Sequence, residues 1–472
     1  MEAELPPTIE ECHSLIRQLL GVIDQLQTEM KATQTRMQAE IDELKAQLNR
    51  NSGNSNQPPS SDGFKRNRRS QLPTKKGHKG GQTGHSGETL RMISEPDLVT
   101  LCEPGECHCG TPVWVGEGRV IEKRQVFDMP EQRLEVTEYR RVRRHCQCGQ
   151  VVAGKFPKGV SAPVQYGRRV SALTTLLSVH GCLSYRKIGQ LFRDMYGAPI
   201  NEATIQRMIT ETAAKIPIEQ LKKALSNSET AHFDESGLHE NGKLKWLHTA
   251  STAELTYQFV HPKRGLEAMQ SNESVLPDFK GTAIHDCWAS YFRFSEIEHA
   301  VCNAHILREL AGIIENQNSN WGVRMQNLLK EMYLKSNYAR GVISDFDAYE
   351  QRYDEILEIG EQEEPEPFRR NQKGKLKRTP GRNLLERLKK YKAAVLLFAR
   401  RAEIPFTNNQ AERDIRALKV KQKVCGSFRS AIGSSSYAKI HSFISTLRKM
   451  KRQVFQEITE ILEGKPFVLF HS

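Results

Sequence analysis

Apolar residues near the start of the chain recur in steps of three and four: Ile16, Leu19, Ile23, Leu26, Met30, Thr33 and Met37, then Ile41, Leu44 and Leu48. Polar residues fill the positions between. Sustained heptad spacing predicts a coiled coil over residues 10–49, with two successive steps of four as a stutter that locally unwinds the supercoil. The competing reading is a lone amphipathic helix packed on its own domain. The pattern then stops. "NRNSGNSNQPPSSDGFKRNRRS" and the residues after it hold almost nothing apolar, so 50–97 is expected as a disordered linker. Lys65, Arg66, Arg68, Arg69, Lys75, Lys76 and Lys79 give it one sign of charge, suited to tracking a phosphate backbone.

Helical spacing returns in residues 166–227. Three helices are predicted: Arg168 to about His180, Ser184 to Tyr196, and Asn201 to Lys215. Gly197-Ala198-Pro199 ends the second, and Asn201 caps the third. Two short helices joined through a glycine turn read as a helix-turn-helix, or as plain helix packing. After Ser228 the period shortens to that of strands, in "TAHFDESGL", "KLKWLHTAST", "LTYQFVHPKRG" and "GTAIHDCWASYF". Three strands in a meander, the helix-like "GLEAMQSNESVLPDF" and a further strand imply a mixed sheet. Beyond Ala300 the chain reads as helix. An acidic stretch (350–366) precedes a very basic one (369–392), which reads either as a solvated insertion or as a DNA-contacting arm. The fold class is multidomain α+β.

Composition narrows the class of partner. Lys and Arg number 69 against 56 Asp and Glu, a net charge of +13 with a pI near 9.2. That surplus favours nucleic acid first and an anionic membrane surface second. The apolar run Ala393–Ala399 is far short of the roughly 20 residues a bilayer span needs. The acidic opening "MEAELPPTIEECHS" lacks an apolar signal core, so a cytoplasmic, nucleoid-associated protein is expected, without membrane contact.

Ten cysteines in such a chain read as reduced thiols or metal ligands. "CHCG" (107–110) and "CQCG" (146–149) repeat one unit, and Cys107, Cys109, Cys146 and Cys148 would complete a tetrahedral structural zinc site. Cys-x-Cys is tighter than the usual Cys-x-x-Cys knuckle, so His108, His145 or Cys102 are alternative ligands. Buried free thiols are the simpler reading. Between the two units "RQVFDMPEQRLEVTEYRRVRRH" alternates as a hairpin would.

Three acids form a second candidate site. Asp234 lies near the end of one predicted strand and Asp286 follows another, at the rim where α/β sheets commonly bind ligands. Glu412 heads a helix whose same face carries Arg416, Lys419 and Lys423. Asn409-x-x-Glu412 fits a capping box, while Glu412 with the two aspartates fits a magnesium site that meets bound phosphate. Arg264 in "HPKRGLEA" and His305 in "CNAHILREL" are further polar residues of these stretches, and a buried, hydrogen-bonded histidine is the usual outcome for the second. Asn408 and Asn409 read equally as caps or as residues orienting the glutamate.

"HFDESG", "IHDCWASYF", "CNAHILREL", "NNQAERDIRALKVKQK" and "GSFRS" together resemble the insertion sequence sixty-six family of bacterial transposases, in one order from the coiled coil to "EGKPFVLF". The resemblance implies a ribonuclease-H-like catalytic core over 228–310 and 400–450, with an Asp–Asp–Glu triad at Asp234, Asp286 and Glu412 binding two Mg²⁺ ions. It implies an N-terminal zinc-binding module (98–158), a helical insertion (311–399) and a C-terminal tail (451–472). The family's commoner strings are Cys-x-x-Cys and "HADET", where this chain has Cys-x-Cys and "HFDES". The activity implied is cleavage of the element's ends and joining of the 3′-hydroxyl to target DNA. Expected partners are terminal repeats, target DNA, further copies of the chain through the coiled coil, and accessory proteins of the same element. Arg264, Arg416, Lys419 and Lys423 are the expected DNA contacts. The alternatives are a non-catalytic zinc-containing DNA-binding regulator and a metal-dependent nuclease with the same core.

Overall fold

The computed structural model describes residues 8–55, 57, 62, 72, 90–103, 108–110, 118–338, 342–366 and 378–470. They fall in two compact units, one built from 1–74, 166–185 and 203–472, the other from 75–165 and 186–202.

The first unit begins with α1 (Ile9–Leu48), a continuous helix of 40 residues. Its stripe, including Ile16, Leu19, Leu26 and Leu44, stays exposed. Residues 51–55 correct the expectation that the whole of 50–97 is disordered. The Asn51 side chain accepts from Gly53 N (2.8 Å), and Asn54 Oδ1 accepts from Asn51 N (2.8 Å). Asn54 and Ser55 are buried. Asparagine side chains satisfy this turn's backbone locally, so it orders without an apolar cluster. Most of the remaining linker lies outside the described residues.

In the second unit, β1 (Arg143–His145) and β2 (Val151–Ala153) pair antiparallel around the second Cys-x-Cys-Gly unit. Gly149 closes that tip at φ 84°, a conformation glycine adopts without penalty. The hairpin expected between the two cysteine units is not formed. Residues 118–142 have no regular secondary structure and are mostly exposed, without a ladder among the described residues.

Helices α2 (Arg168–Val179), α4 (Glu202–Lys215) and α5 (Ile218–Ser226) belong to the first unit, and most of α3 (Tyr185–Tyr196) to the second. The sheet follows: β3 (Thr230–Glu240), β4 (Lys243–Ser251) and β5 (Thr256–His261) form an antiparallel meander. After the short α6 (Leu266–Met269), β6 (Thr282–His285) pairs parallel with β3, and β7 (Glu298–Val301) parallel with β6. The order is β5-β4-β3-β6-β7. Strand alternation sorts the faces. Ala231, Phe233, Tyr257 and Ala283 pack with Leu221 and Leu225 of α5, whereas Ile284 joins the helical core on the other side.

From β7 the chain enters α7 (Asn303–Gln317), α8 (Asn320–Tyr338), α9 (Phe346–Glu363), α10 (Pro380–Lys390) and α11 (Lys392–Arg400), which bury Trp321, Met325, Tyr353, Leu385 and Phe398 in one core. Glu363 caps α8 from a distance, accepting from the backbone of Asn320 (3.0 Å) and Trp321 (3.1 Å). The basic stretch after α9 is only partly free for DNA. Arg382 bonds Glu361 and Glu386, Arg378 bonds Glu366, and Lys392 bonds Glu350 and Asp354. The acidic run that precedes it neutralises these cations; 367–377 lie outside the described residues.

The chain then returns to the sheet through α12 (Asn409–Cys425), α13 (Ala431–Lys449) and α14 (Val454–Glu463). Buried Asp414 fixes α12. It accepts from Ser251 Oγ (2.5 Å), Thr256 Oγ1 (3.0 Å) and Lys449 Nζ (2.7 Å), joining two strands to α13. Removing it leaves a buried ammonium unpaired. Asp414→Ala is expected to cost about 3–5 kcal/mol, read as a lowered urea midpoint of unfolding.

Three histidines of this unit are held neutral by burial: His232, His248 and His441 titrate at about 4. The unfolded chain takes up these protons near 6.5, so their stabilisation is complete above that pH and lost as pH falls towards 4. His441 is bonded to Gln258 (2.9 Å). His441→Gln is therefore expected to lose about 2–3 kcal/mol less stability than wild type between pH 6.5 and 4.5, measured by urea unfolding.

Candidate active site

Parallel register carries the first two acids. Thr230 pairs with Thr282 and His232 with Ile284. The same offset, continued two residues, sets Asp234 level with Asp286 at the carboxyl end of β6. Asp286 Oδ1 accepts from Trp288 N (3.1 Å), and the intervening Cys287 sits at φ 68°. That left-handed conformation costs a non-glycine residue on the order of 1 kcal/mol and gathers at sites where geometry is enforced.

Alternation along β3 turns the neighbouring Glu235 to the opposite face, where its side chain is fully buried. Tyr291 Oη donates to it (2.7 Å), and Arg264 pairs with it through Nη2 (2.7 Å). The Arg264 guanidinium is held 4.3 Å from the Trp288 ring and 5.1 Å from the Trp246 ring, with its other edge partly exposed. Tyr291 in turn stacks on His285 (4.4 Å). Sequence reasoning missed Glu235 and Tyr291. Two adjacent acids in one strand were the available signal, since one of them must face away and find a cation.

Glu412 arrives from α12. Asn408, not Asn409, holds the N-cap position, and its side chain makes no cap bond. It bonds His232 Nδ1 (2.8 Å) and donates to Phe233 O (2.7 Å), while its backbone N–H donates to Cys302 Sγ (3.1 Å). The expected Asn409–Glu412 capping box is thus not formed, because Asn409 is already helical and the preceding asparagine is committed to β3. The Glu412 carboxylate lies 3.9 Å from His305 Nδ1.

The three acids share one field. Burial raises Asp234 well above the usual carboxylate range, with Glu235, Asp286 and Glu412 adding to the effect. Burial also raises Asp286, against the Trp288 amide and Arg264, and Glu412, against Arg308 and Arg416. Asp286 acts on Glu412 in turn. Such a cluster is short of positive charge, which is what a divalent cation supplies. Among the described residues, the set of three donors drawn within 4.8 Å is Cys302, His305 and Glu412, so Glu412 belongs both to this set and to the field of the aspartates. Burial pushes the Cys302 thiol up to about 12 and His305 down to about 3.

Arg416 and Lys423 are exposed on α12. Lys419 turns inward instead, donating to Gly237 O (3.0 Å) within the field of Asp234. The cysteine pair Cys146 and Cys148 is exposed at the hairpin tip, and Cys102, Cys109, His108 and His145 are exposed too. Cys107 lies outside the described residues, and the described members do not close into a three-donor cluster.

Residues 163–436 match the family described as Transposase IS66 family, and residues 3–91 match a family of unknown function (DUF6444). No curated protein matches the chain. The first match spans more than half of the sequence, and the chain belongs to the IS66 family of transposases. Membership implies DNA as substrate, nucleotidyl transfer and the use of divalent metal. No helix among the described residues is long and apolar enough to cross a membrane.

Replacing one of three crowded carboxylates relieves their repulsion. Asp234→Asn is expected to raise the unfolding temperature of the metal-free protein by about 2–6 °C and to abolish the further rise Mg²⁺ gives wild type, both read by calorimetry.

Proposed function

We propose that this chain is an Asp–Asp–Glu transposase, which cleaves the ends of its insertion sequence and joins the resulting 3′-hydroxyl to target DNA. The observation that supports this reading is the parallel register of β3 and β6 up to His232 and Ile284, two residues short of Asp234 and Asp286, with the start of α12 and hence Glu412 tied to β3 through Asn408. The strand order, a three-stranded antiparallel meander extended by two parallel strands, supports a ribonuclease-H-like core. The helical block between β7 and α12 fits the family's insertion.

Asp234, Asp286 and Glu412 would hold two Mg²⁺ ions. These would supply Lewis-acid stabilisation of an in-line displacement at phosphorus and lower the pKa of the attacking water. The chain's own residues bind and orient. Arg264, braced by Glu235 and two indoles, offers its open edge to a phosphate oxygen. Arg416 and Lys423 are exposed on α12 for the DNA backbone, whereas Lys419 is bonded to β3 and lies in the field of Asp234.

The rest of the chain serves end recognition and assembly. The exposed stripe of α1 fits a coiled-coil seam between protomers. The Cys-x-Cys-Gly knuckles, Cys107 with Cys109 and Cys146 with Cys148, fit a structural zinc module, which with α2–α4 would recognise terminal repeats.

The test is a strand-transfer assay with full-length protein, Mg²⁺ and paired element ends. Wild type is expected to give joined product, and Asp286→Ala to lower it at least about 10³-fold. Absence of joined product from wild type overturns the reaction, and undiminished joining by Asp286→Ala overturns the site.

A further inference from the structure

Cys302 ends β7 and begins α7; His305 follows one helical turn later, on the same face. Cys302 is fully buried, and its sulfur accepts the Asn408 amide, a contact that stabilises a thiolate. His305 Nδ1 is shielded from solvent and has no hydrogen-bond partner among the described residues. It lies 3.9 Å from Glu412 Oε1, and the sulfur, nitrogen and oxygen all fall within 4.8 Å of one another. A buried orphan nitrogen is costly to leave unsatisfied, and here it stands beside two further electron-pair donors. A cation at their centre satisfies all three.

The donors state which cation. Magnesium seeks oxygen ligands in an octahedron, whereas thiolate, imidazole and carboxylate suit zinc-class ions. Tetrahedral zinc holds such donors roughly 3.3–3.8 Å apart, so small side-chain movements close the set around an ion and leave a fourth position open. Thiolate and carboxylate together neutralise the divalent charge, and Arg308, whose charge acts on both Glu412 and Cys302, favours their anionic, metal-binding forms.

We propose that Cys302, His305 and Glu412 form a zinc-class metal site that shares Glu412 with the acidic group of Asp234 and Asp286. The site itself stands on its geometry. Its consequence, that bound zinc competes with magnesium for Glu412 and suppresses strand joining, rests on the triad reading above.

Cobalt(II) is the probe, titrated into metal-free full-length protein carrying Cys146→Ser and Cys148→Ser, which removes the exposed thiol pair of the other unit. One equivalent is expected to bind with a sulfur-to-cobalt absorption band in the near ultraviolet. Cys302→Ser and His305→Gln in that background are expected to remove the band and weaken binding at least about 10-fold, with circular dichroism checking that each folds. A cobalt spectrum without a sulfur band, or a band unchanged by Cys302→Ser, overturns the site. A second measurement needs no change at the buried cysteine: zinc should suppress Mg²⁺-dependent joining by wild type, and excess Mg²⁺ should relieve it. Joining indifferent to zinc overturns the competition. Failure to join in Mg²⁺ alone instead overturns the triad reading and leaves the cobalt spectrum to decide the site.

Discussion

The side-chain amide of Asn408 is the joint on which the active-site geometry depends. Its oxygen and nitrogen bond His232 and Phe233 of β3, and its backbone N–H bonds Cys302 at the end of β7. One residue therefore fixes the start of α12 against the strand bearing Asp234 and against the start of α7, the helix bearing His305. Glu412 lies one turn into that helix, and its place follows from the joint. Asp414, two residues on, then locks the helix to β4, β5 and α13 through a buried network. A side chain on an unsupported helix would not hold its place to the precision that a site requires.

Compensation of buried charge separates scaffold from site. Glu235 has Arg264 and Tyr291, and Asp414 has Lys449 with two hydroxyls. Among the described residues Asp234 and Asp286 form no ion pair, the Glu412 carboxylate lies beside His305 alone, and burial raises all three acids. A protein optimised for stability alone would not gather them. The positive φ of Cys287 beside Asp286 belongs to the same pattern, local cost held in place by well-packed surroundings.

The surplus of basic residues is unevenly available. In the helical insertion, Arg378, Arg382, Lys389 and Lys392 are taken by acids of α9 and its C-terminal end, which makes that block a charge-paired scaffold. On α12 the cations divide, with Arg416 and Lys423 facing outward and Lys419 facing β3. Net charge thus points to a polyanionic partner, while the surface that meets it is decided by which cations lack acidic neighbours.

What the sequence determined by itself is whatever repeats or punctuates over short range. Heptad spacing marked α1, the Gly-Ala-Pro stop and its neighbours marked α2 to α4, and alternation marked the strands that bear Asp234 and Asp286. Family motifs added the third acid. Tertiary structure alone decided the inward turn of Lys419, the pairing of Glu235 with Arg264, and the use of Asn408 as a joint in place of a cap on Asn409. It also left residues 118–142 without the ladder their alternation suggested and brought Cys302 and His305 to Glu412. The reason is physical: local pattern fixes which way a side chain points from its own element. Its hydrogen-bond or charge partner sits dozens to more than a hundred residues away, and only packing brings the two into contact.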